Sequence, residues 1–582
     1  MSGLRFLRAR RAVRFTEEAV RSLACQKLPR LATAWFCATL CPEVLGVALS
    51  TRAMPIIVAR RMTLMCMKNG SILYCKTTKM SNTASDDSAG QSAQNSVAPG
   101  VSPTMTVYPG QVHTVTIEKL SFGGDGFARI GDCALFIPGT IPGQQVEIVV
   151  TKFRGNSAEA KVKKIIRKAK DEVMPRCQHF HECGGCQWQN LPYERQIAYK
   201  EDIVRETLLH LTPCDESVRA NLPGRVLKII PSPQVYHYRN KLELSFGFSS
   251  MRTEEQAGKR IYFDEGPTIG FHQPGQWQTV LPITECHLYD EQIGALLSDV
   301  RRFMTDSHLP VHNPKTHKGL LRTLLLRRGV HTGEMMIAFT VKARKKELEP
   351  VFQHFMRFAG RSGLKSLLVI ENLGLNDKPE QPKVHCLAGK PTITERLFDL
   401  SFEISPFSFF QTNTLGAEKL YQMIVDGAQI TQKDTVLDAY CGMGTIGQYV
   451  ARFAQKVVGV ESHPTAVEDA LRSAGKNRIG NITFYKGRME QVIGDQLSPD
   501  GKHTFTVAIV DPPRAGMHPK ALAGVLAHKP ERLVYVSCNT ATFARDLGVI
   551  LNDGYDLRTV QPVDLFPHTS HIETVAVLQR KG

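Results

Sequence analysis

Read for its pattern of apolar and polar positions, the chain changes character several times. Between Val112 and Ile166, short β-branched runs alternate with polar residues and are cut by glycine-rich turns. The runs are Val112–Ile117, Ala134–Ile137, Val146–Val150 and Ala158–Val162, with Gly123-Gly124-Asp125-Gly126 and Pro138-Gly139 as punctuation. This predicts about five strands closed into a small barrel. Tyr193 to Leu211 then carries apolar residues at helical spacing (Tyr193, Ile197, Tyr199, Ile203, Leu208). A strand-rich stretch follows to about residue 400, with an amphipathic helix over Ile293–Met304 and strands such as Leu367–Ile370, and predicts a mixed α+β domain. From Pro406 onward strand and helix alternate, the mark of a doubly wound parallel sheet, with Val436–Asp438, Val457–Glu461, Val507–Val510 and Leu533–Val536 as its buried strands.

Residues 1–105 fit none of these periods. They open rich in arginine (Arg5, Arg8, Arg10, Arg11, Arg14) and close, over 81–104, in Ser, Ala, Asn, Gly and Pro with little that could pack. The apolar patch Trp35–Ala48 is broken by Pro42 and Glu43 and is too short to span a membrane. The stretch reads as a disordered or mis-started extension, with Met54, Met62, Met65, Met67, Met80 and Met105 as later starts; an organellar transit peptide is the less favoured reading. The expected domains are therefore 1–105, a barrel over 106–169, a central domain over 170–400 and a catalytic domain over 401–582.

Composition sharpens the picture in two respects. A net charge of +17 and a pI near 9.2 favour a polyanionic partner, nucleic acid first. The basic run Lys161-Val162-Lys163-Lys164-Ile165-Ile166-Arg167-Lys168 suits phosphate contact, and Tyr236, Tyr238, Arg239 and Lys241 interleave rings with cations as a base-stacking strand would. The latter could equally be a half-buried strand with a wet face. The 14 cysteines are unevenly used: Cys177, Cys183 and Cys186 cluster while most others are scattered, which points to a reducing, cytoplasmic setting and a metal or catalytic use. Cys286 is the best fourth thiol; spacing leaves both zinc, with His179 or His181 as an alternative ligand, and an iron–sulfur cluster open.

The chemistry concentrates in the C-terminal half. Gly442-x-Gly444-x-x-Gly447 follows the strand ending at Asp438, and the next strand ends in Glu461, placed to accept hydrogen bonds from a ribose. That spacing serves a dinucleotide or S-adenosyl-L-methionine; Asp438 ahead of the turn and the lack of hydride-transfer machinery tilt it to the latter. Val510-Asp511-Pro512-Pro513-Arg514 and Ser537-Cys538-Asn539 end later strands at the same sheet edge, where ligands bind in open α/β sheets.

Taken with Phe409-Phe410-Gln411-Thr412-Asn413 and Phe566-Pro567-His568-Thr569-Ser570-His571-Ile572-Glu573, these motifs stand in the order of a known family. Over about residues 106–582 the chain resembles RNA uridine C5-methyltransferases of the RumA/TrmA type, and its barrel resembles the RNA-binding TRAM domain. The resemblance implies a multidomain protein: a TRAM (OB-like) barrel, an α+β central domain with a four-cysteine metal site and a Rossmann-like class I α/β methyltransferase domain. It implies a [4Fe-4S] cluster on Cys177, Cys183, Cys186 and Cys286, with a structural role. It implies S-adenosyl-L-methionine contacts from Gln411, Tyr440, Glu461 and Asp511, Cys538 as nucleophile and Glu573 as base, and Arg514 is our choice to steady the enolate.

By the same analogy the barrel points to large-subunit ribosomal RNA rather than transfer RNA, acted on by a monomer with no membrane partner. A non-catalytic RNA-binding protein and a cytosine C5-methyltransferase are the competing readings. Two residues depart from the pattern: Thr540 stands where proline is usual, which would loosen the Cys538 loop, and Thr445 where some relatives carry asparagine.

Overall fold

The computed structural model describes residues 107–252, 262–375, 382–498 and 504–582, with a small hairpin in which Met67–Lys68 pairs with Ser71–Ile72. The hairpin belongs to one unit, Met1–Asp86, and all else described belongs to a second, Asp87–Gly582. The expectation of an unpacked N-terminal extension otherwise lies outside the described residues. No helix among them is long and apolar enough to cross a membrane.

The alternating stretch forms a six-stranded sheet: β1 (Val112–Thr116), β2 (Lys119–Leu120), β3 (Gly126–Ile130), β4 (Cys133–Ile137), β5 (Gln145–Arg154) and β6 (Ser157–Arg167), in the order β1-β5-β6-β4-β3-β2. The strand beyond the expected five is β2, whose two residues are too few to register as alternation. Every second residue turns inward, so Val115, Ile130, Leu135, Ile137, Val146 and Ile148 share one core. On β6 the side chains of Lys161, Lys163, Lys164 and Arg167 stay exposed.

The chain leaves this barrel through the cysteine-rich segment and enters α1 (Tyr193–Leu211). The central sheet comprises β7 (Lys241–Arg252), β8 (Tyr262–Gln273), β9 (Gln276–Pro282), β10 (Leu321–Arg328), β11 (Met335–Val341), β12 (Leu364–Glu371) and β13 (Lys383–Gly389), ordered β9-β8-β7-β10-β11-β12-β13. Only β11 and β12 run parallel. Helix α2 (Ile293–Ser307) covers one face with Leu296, Leu297, Val300 and Phe303. The other face of β10, β11 and β12 is also buried, which is why Leu324-Leu325-Leu326 and Met336–Phe339 are unbroken apolar runs.

That second face packs beneath the hairpin β14 (Ile393–Leu397) and β15 (Leu400–Ile404) and helix α3 (Thr414–Ala428), in the same core as the C-terminal sheet. The elements of that sheet are β16 (Thr435–Ala439), α4 (Thr445–Val450), β17 (Lys456–Glu461), α5 (Pro464–Lys476), β18 (Ile482–Lys486), α6 (Met489–Asp495), β19 (Val507–Val510), α7 (Pro519–Ala527), β20 (Arg532–Ser537), α8 (Thr540–Asn552), β21 (Tyr555–Val563) and β22 (Glu573–Arg580). Its order is β18-β17-β16-β19-β20-β22-β21; the first five are parallel and β22 runs antiparallel between β20 and β21.

The opposite face of this sheet meets α1, Trp188 and, from the barrel, Leu120 and Ile141 in a common core. One buried ion pair fixes α1 to the sheet: Lys200 Nζ lies 2.6 Å from Asp564 Oδ1, both side chains being fully buried. Tyr193 donates to the other oxygen of Asp564 at 2.8 Å.

Of the interleaved segment Tyr236–Lys241, only Lys241 lies in a strand, as the first residue of β7. Residues 236–240 form an irregular connection ahead of β7, with His237 at φ 55°. Tyr238 is buried and its hydroxyl donates to the carbonyl of Pro567, so its ring faces no solvent groove.

Candidate active site

The carboxyl ends of β16, β17, β19 and β20 open on one side of the parallel sheet, and four chain turns leave there. The first requires left-handed backbone at Tyr440 (φ 64°), Gly442 (φ 56°) and Gly444 (φ 75°). At Gly444 a Cβ would stand 2.9 Å from the Phe484 ring, so both conformation and space call for glycine. Beyond it α4 starts against Asp438: a Cβ on Gly447 would come within 2.6 Å of Asp438 Oδ2. Glu461 closes the turn from the next strand, accepting from Gly442 N at 3.1 Å and from His463 N at 2.7 Å.

The segment bearing Gln411 is pinned from both sides. Asn413 caps α3 by accepting from Gly416 N at 2.9 Å, and its amide donates to Ser232 Oγ and to the carbonyl of Leu565, each at 3.0 Å. Asn240 donates to the carbonyl of Gln411 at 2.8 Å. Thr445 bonds the Tyr421 hydroxyl at 2.7 Å.

Sheet register brings Cys538 and Glu573 together. Ser537, the last residue of β20, pairs with Thr574 of antiparallel β22, so the residue after one faces the residue before the other. A tight turn carries the thiol: Asn539 N donates to Ser537 Oγ at 3.1 Å, and Ser537 Oγ donates to Asn539 O at 2.9 Å. Asn539 also caps α8, accepting from Ala541 N and Thr542 N, and donates to the carbonyl of Arg514 at 3.0 Å. Thr540 is the buried first residue of that helix, and where proline is usual the Asn539 cap ties the turn to the helix.

Gln411, Tyr440, Glu461, Asp511, Arg514, Cys538 and Glu573 all line one cavity of about 700 Å³. Its electrostatics are unusual. Burial, reinforced by Glu573 and Asp511 and opposed by Arg514, pushes the Cys538 thiol up to about 11. Burial raises Asp511 to about 7, and burial with the nearby Asp511 raises Asp438 to about 8. Glu573 is driven well above the usual carboxylate range by burial and Asp511. Carboxyl groups crowded into one buried space make it receptive to a cation. A cationic ligand such as a sulfonium fits the carboxyl-rich lining that Glu461, Asp511 and Glu573 give this cavity.

The cysteines expected as ligands converge on a neighbouring cavity of about 260 Å³, lined by Cys177, Cys183, Cys186 and Cys286 together with Arg239 and His179. Each thiol is raised, chiefly by burial, Cys183 to about 11 and Cys186 to about 12, and neighbouring thiols add to the shifts of Cys177, Cys183 and Cys186. Four thiolates could share this space only around a positive centre, and Gln189 already donates to Cys186 Sγ at 3.2 Å. Among the described residues, no three Cys, His, Asp or Glu side chains converge as the shell of a single metal ion.

A third cavity, about 450 Å³, adjoins the first and shares Cys538, Arg514, Arg239 and His571 with it. Arg239 thus borders all three spaces, its guanidinium buried and its Nε without a partner. Sequence reasoning placed Arg239 on a strand that was either RNA-facing or half-buried with a wet face, and gave it no place in the site. It also gave no part to His571, at the cavity mouth, which partial burial and the nearby Arg514, Lys200 and Arg239 hold neutral, down to about 4. The motif containing His571 was visible; the loop geometry that aims it was not.

Comparison with known proteins agrees with this layout. The family model described as tRNA (Uracil-5-)-methyltransferase matches residues 392–581, and the TRAM domain model matches residues 106–163. An uncharacterized RNA methyltransferase of Bacteroides thetaiotaomicron is 36% identical over 459 residues, covering 78% of this chain and 99% of its own. Another from Clostridium acetobutylicum is 37% identical over 471 residues, covering 80% of this chain and 97% of its own. The crystal structure of Pyrococcus abyssi tRNA (uracil-54, C5)-methyltransferase in complex with S-adenosyl-L-homocysteine superposes with a TM-score of 0.59 at 28% identity, over 80% of this chain and all of that one.

Proposed function

The chain belongs to the RNA (uracil-C5)-methyltransferase family, and we propose that Cys538 and Glu573 are its nucleophile and base in S-adenosyl-L-methionine-dependent methylation of a uridine at C5. The observation that carries this assignment is the register of β20 and β22, which seats the thiol and carboxyl side by side in the cavity bearing Glu461 and Asp511.

Uracil C5 is too poor a nucleophile to take a methyl group unaided. The Cys538 thiolate forms a bond to C6, and the C5–C6 π electrons move onto C5 and the O4 carbonyl as an enolate. Arg514, which borders both cavities at Cys538, steadies that charge. S-adenosyl-L-methionine supplies an electrophilic methyl group to C5. Glu573 then takes the C5 proton, the C5–C6 double bond re-forms and the thiolate departs. The uridine must leave its stack to reach Cys538. Gln411, Tyr440, Glu461 and Asp511, which line the same cavity, would hold the methyl donor, with Glu461 at a sheet edge where a carboxylate can accept from ribose hydroxyls.

Cys177, Cys183, Cys186 and Cys286 fit a [4Fe-4S] cluster better than zinc, because four thiols ring a cavity far larger than one ion. Its role is structural: Gln187 and Trp188, directly after Cys186, both donate from the backbone to the carbonyl of His568 on the loop that precedes Glu573.

Large-subunit ribosomal RNA is the substrate favoured by the barrel. A transfer RNA substrate has support of its own, since the Pyrococcus abyssi tRNA (uracil-54, C5)-methyltransferase aligns over 80% of this chain. The test is methyl transfer from labelled S-adenosyl-L-methionine to unmodified ribosomal and transfer RNA, with Cys538→Ala alongside and nucleoside analysis of the product. 5-Methyluridine from the wild type alone supports the assignment. Equal product from the variant refutes Cys538 as nucleophile, and no product on either RNA from folded protein moves the reading to a non-catalytic RNA-binding protein.

A further inference from the structure

The third cavity is built from pieces of three domains, and one of them is the tip of the barrel. Phe122 and Gly123 of the glycine-rich turn between β2 and β3 line it, opposite Cys538, Asn539 and Arg514 of the catalytic sheet and beside Gly184 and Gly185 of the cysteine segment. Phe122 is 46% exposed and takes no part in the barrel core, an uncommon setting for a phenylalanine.

The turn that presents it is firmly held. Ser121 N donates to Asp125 O at 2.8 Å and Gly124 N to Ser121 O at 2.9 Å, closing the loop on itself. Trp188 Nε1 donates to the carbonyl of Gly124 and Gln187 Nε2 to that of Gly123, both at 3.3 Å. Gln187 also accepts from Ser570 N at 2.8 Å, so one side chain ties the barrel tip to the loop ahead of Glu573. Gly124 sits so close that a Cβ there would meet Ser570 Cβ at 2.5 Å. An exposed ring on an anchored turn is positioned rather than stray.

The chemistry of the walls says what it faces. Arg239 and Arg514 supply positive charge, three glycines line the space without side chains, and the half-exposed ring of Phe122 lines it too. A single-stranded polyanion with stackable rings suits that combination. The proposed reaction delivers such a partner of necessity, because the uridine at Cys538 is covalently tethered to the nucleotides on either side of it. We propose that Phe122 is a stacking platform for the base next to the target uridine, making the barrel tip part of the substrate pocket. This rests on the reading of Cys538 as the nucleophile toward a uridine in RNA.

The test compares Phe122→Ala and Phe122→Tyr with the wild type on whichever unmodified transcript, ribosomal or transfer, accepts methyl groups. Phe122→Ala is expected to raise the KM for RNA about tenfold, the scale of one lost base–aromatic contact, while kcat moves less. Phe122→Tyr keeps the ring and is expected to stay within about twofold. The Kd for S-adenosyl-L-methionine without RNA, unchanged in both, reports that the fold survives. A second readout places 2-aminopurine immediately 5′ or 3′ of the methylated uridine: its fluorescence should fall on binding to wild type in one of the two positions and fall less with Phe122→Ala. An unchanged KM in Phe122→Ala, a Phe122→Tyr as impaired as the alanine variant, or quenching that ignores the substitution would each overturn the proposal while leaving the assignment of Cys538 intact. A folded wild type that methylates neither RNA would instead overturn that assignment and this proposal with it.

Discussion

Glu573→Gln isolates one step of the proposed reaction. The side chain is 5% exposed at the first residue of β22, and burial keeps its carboxyl well above the usual range, so an uncharged amide of the same shape costs little in packing. The amide cannot accept the C5 proton. Loss of a positioned base slows the step it serves by about 10²–10⁴, or about 2.7–5.4 kcal/mol at 1.36 kcal/mol per decade. Thiol addition and methyl transfer precede that step, so they are spared and the methylated RNA should remain bonded to Cys538. The assay is a single-turnover reaction with methyl-labelled S-adenosyl-L-methionine, quenched in detergent and resolved on a denaturing gel. Label should run with a protein–RNA adduct in Glu573→Gln and with free RNA in the wild type. The substitution should also lower the Cys538 thiol from about 11, because Glu573 is the first charged neighbour that raises it. Iodoacetamide should therefore alkylate Cys538 faster in the variant at alkaline pH, where Glu573 of the wild type is ionised. Free methylated RNA released at the wild-type rate would refute Glu573 as the base. A variant that binds the methyl donor yet forms neither adduct nor product would refute the order of steps.

Further outcomes follow from the same geometry. Asp438 and Asp511 have folded pKa values of about 8 and about 7, above their unfolded value of 3.8, so the folded state holds more protons and stability falls as pH rises from about 4 toward 8. His571 and His568, lowered to about 4, contribute in the opposite sense below about pH 6.5, so the test is the difference between variants: Asp511→Asn should lose part of the decline seen in thermal melts of the wild type without ligand, and an unchanged slope would contradict the burial argument. Gly444→Ala forces a φ of 75° on alanine and drives its Cβ to 2.9 Å from Phe484; it should cost at least about 1 kcal/mol in denaturant unfolding and weaken S-adenosyl-L-methionine in calorimetry. Lys200→Met leaves Asp564 buried without its ion pair, with an expected loss of about 3–5 kcal/mol by chemical denaturation. Cys286→Ser should lose bound iron and its visible absorbance in anaerobically purified protein, and iron retained at wild-type stoichiometry would remove Cys286 from the ligand set.

Much of this was legible in the sequence because it rests on local signals. The helix over Tyr193–Leu211 and the parallel strands up to Ser537 follow from periodicity and β-branched runs. The turn at Gly442–Gly444 follows from conformations that favour glycine. The cavity residues were recognisable as motifs, yet nothing along the chain states that Cys538 faces Glu573, since α8, β21 and their loops intervene and only the β20–β22 register closes the gap. Tyr236–Asn240 misled for a related reason: its alternation with Lys241 is that of a strand, but tertiary partners at Pro567, Leu288 and Gln411 take the place of a ladder and hold it as an irregular connection. Phe122 and Gln187 carry no pattern at all. Their places come from three domains meeting at one point.

The proposed role of Cys538 as nucleophile requires a means of lowering a thiol that its surroundings push up to about 11. After burial itself, the main causes of the shift are the charges of Glu573 and Asp511, and the field of Arg514 alone does not cancel them. On the proposed assignment, a cationic methyl donor in the cavity that Asp511, Glu573 and Cys538 line would supply the missing positive charge and lower all three groups together. The same ligand that brings the methyl group thus makes the thiolate and the carboxylate more accessible, in the one complex where both are needed. Measured in weakly buffered solution near neutral pH, its binding should release protons, and substitution of Asp511 by Asn should diminish that release.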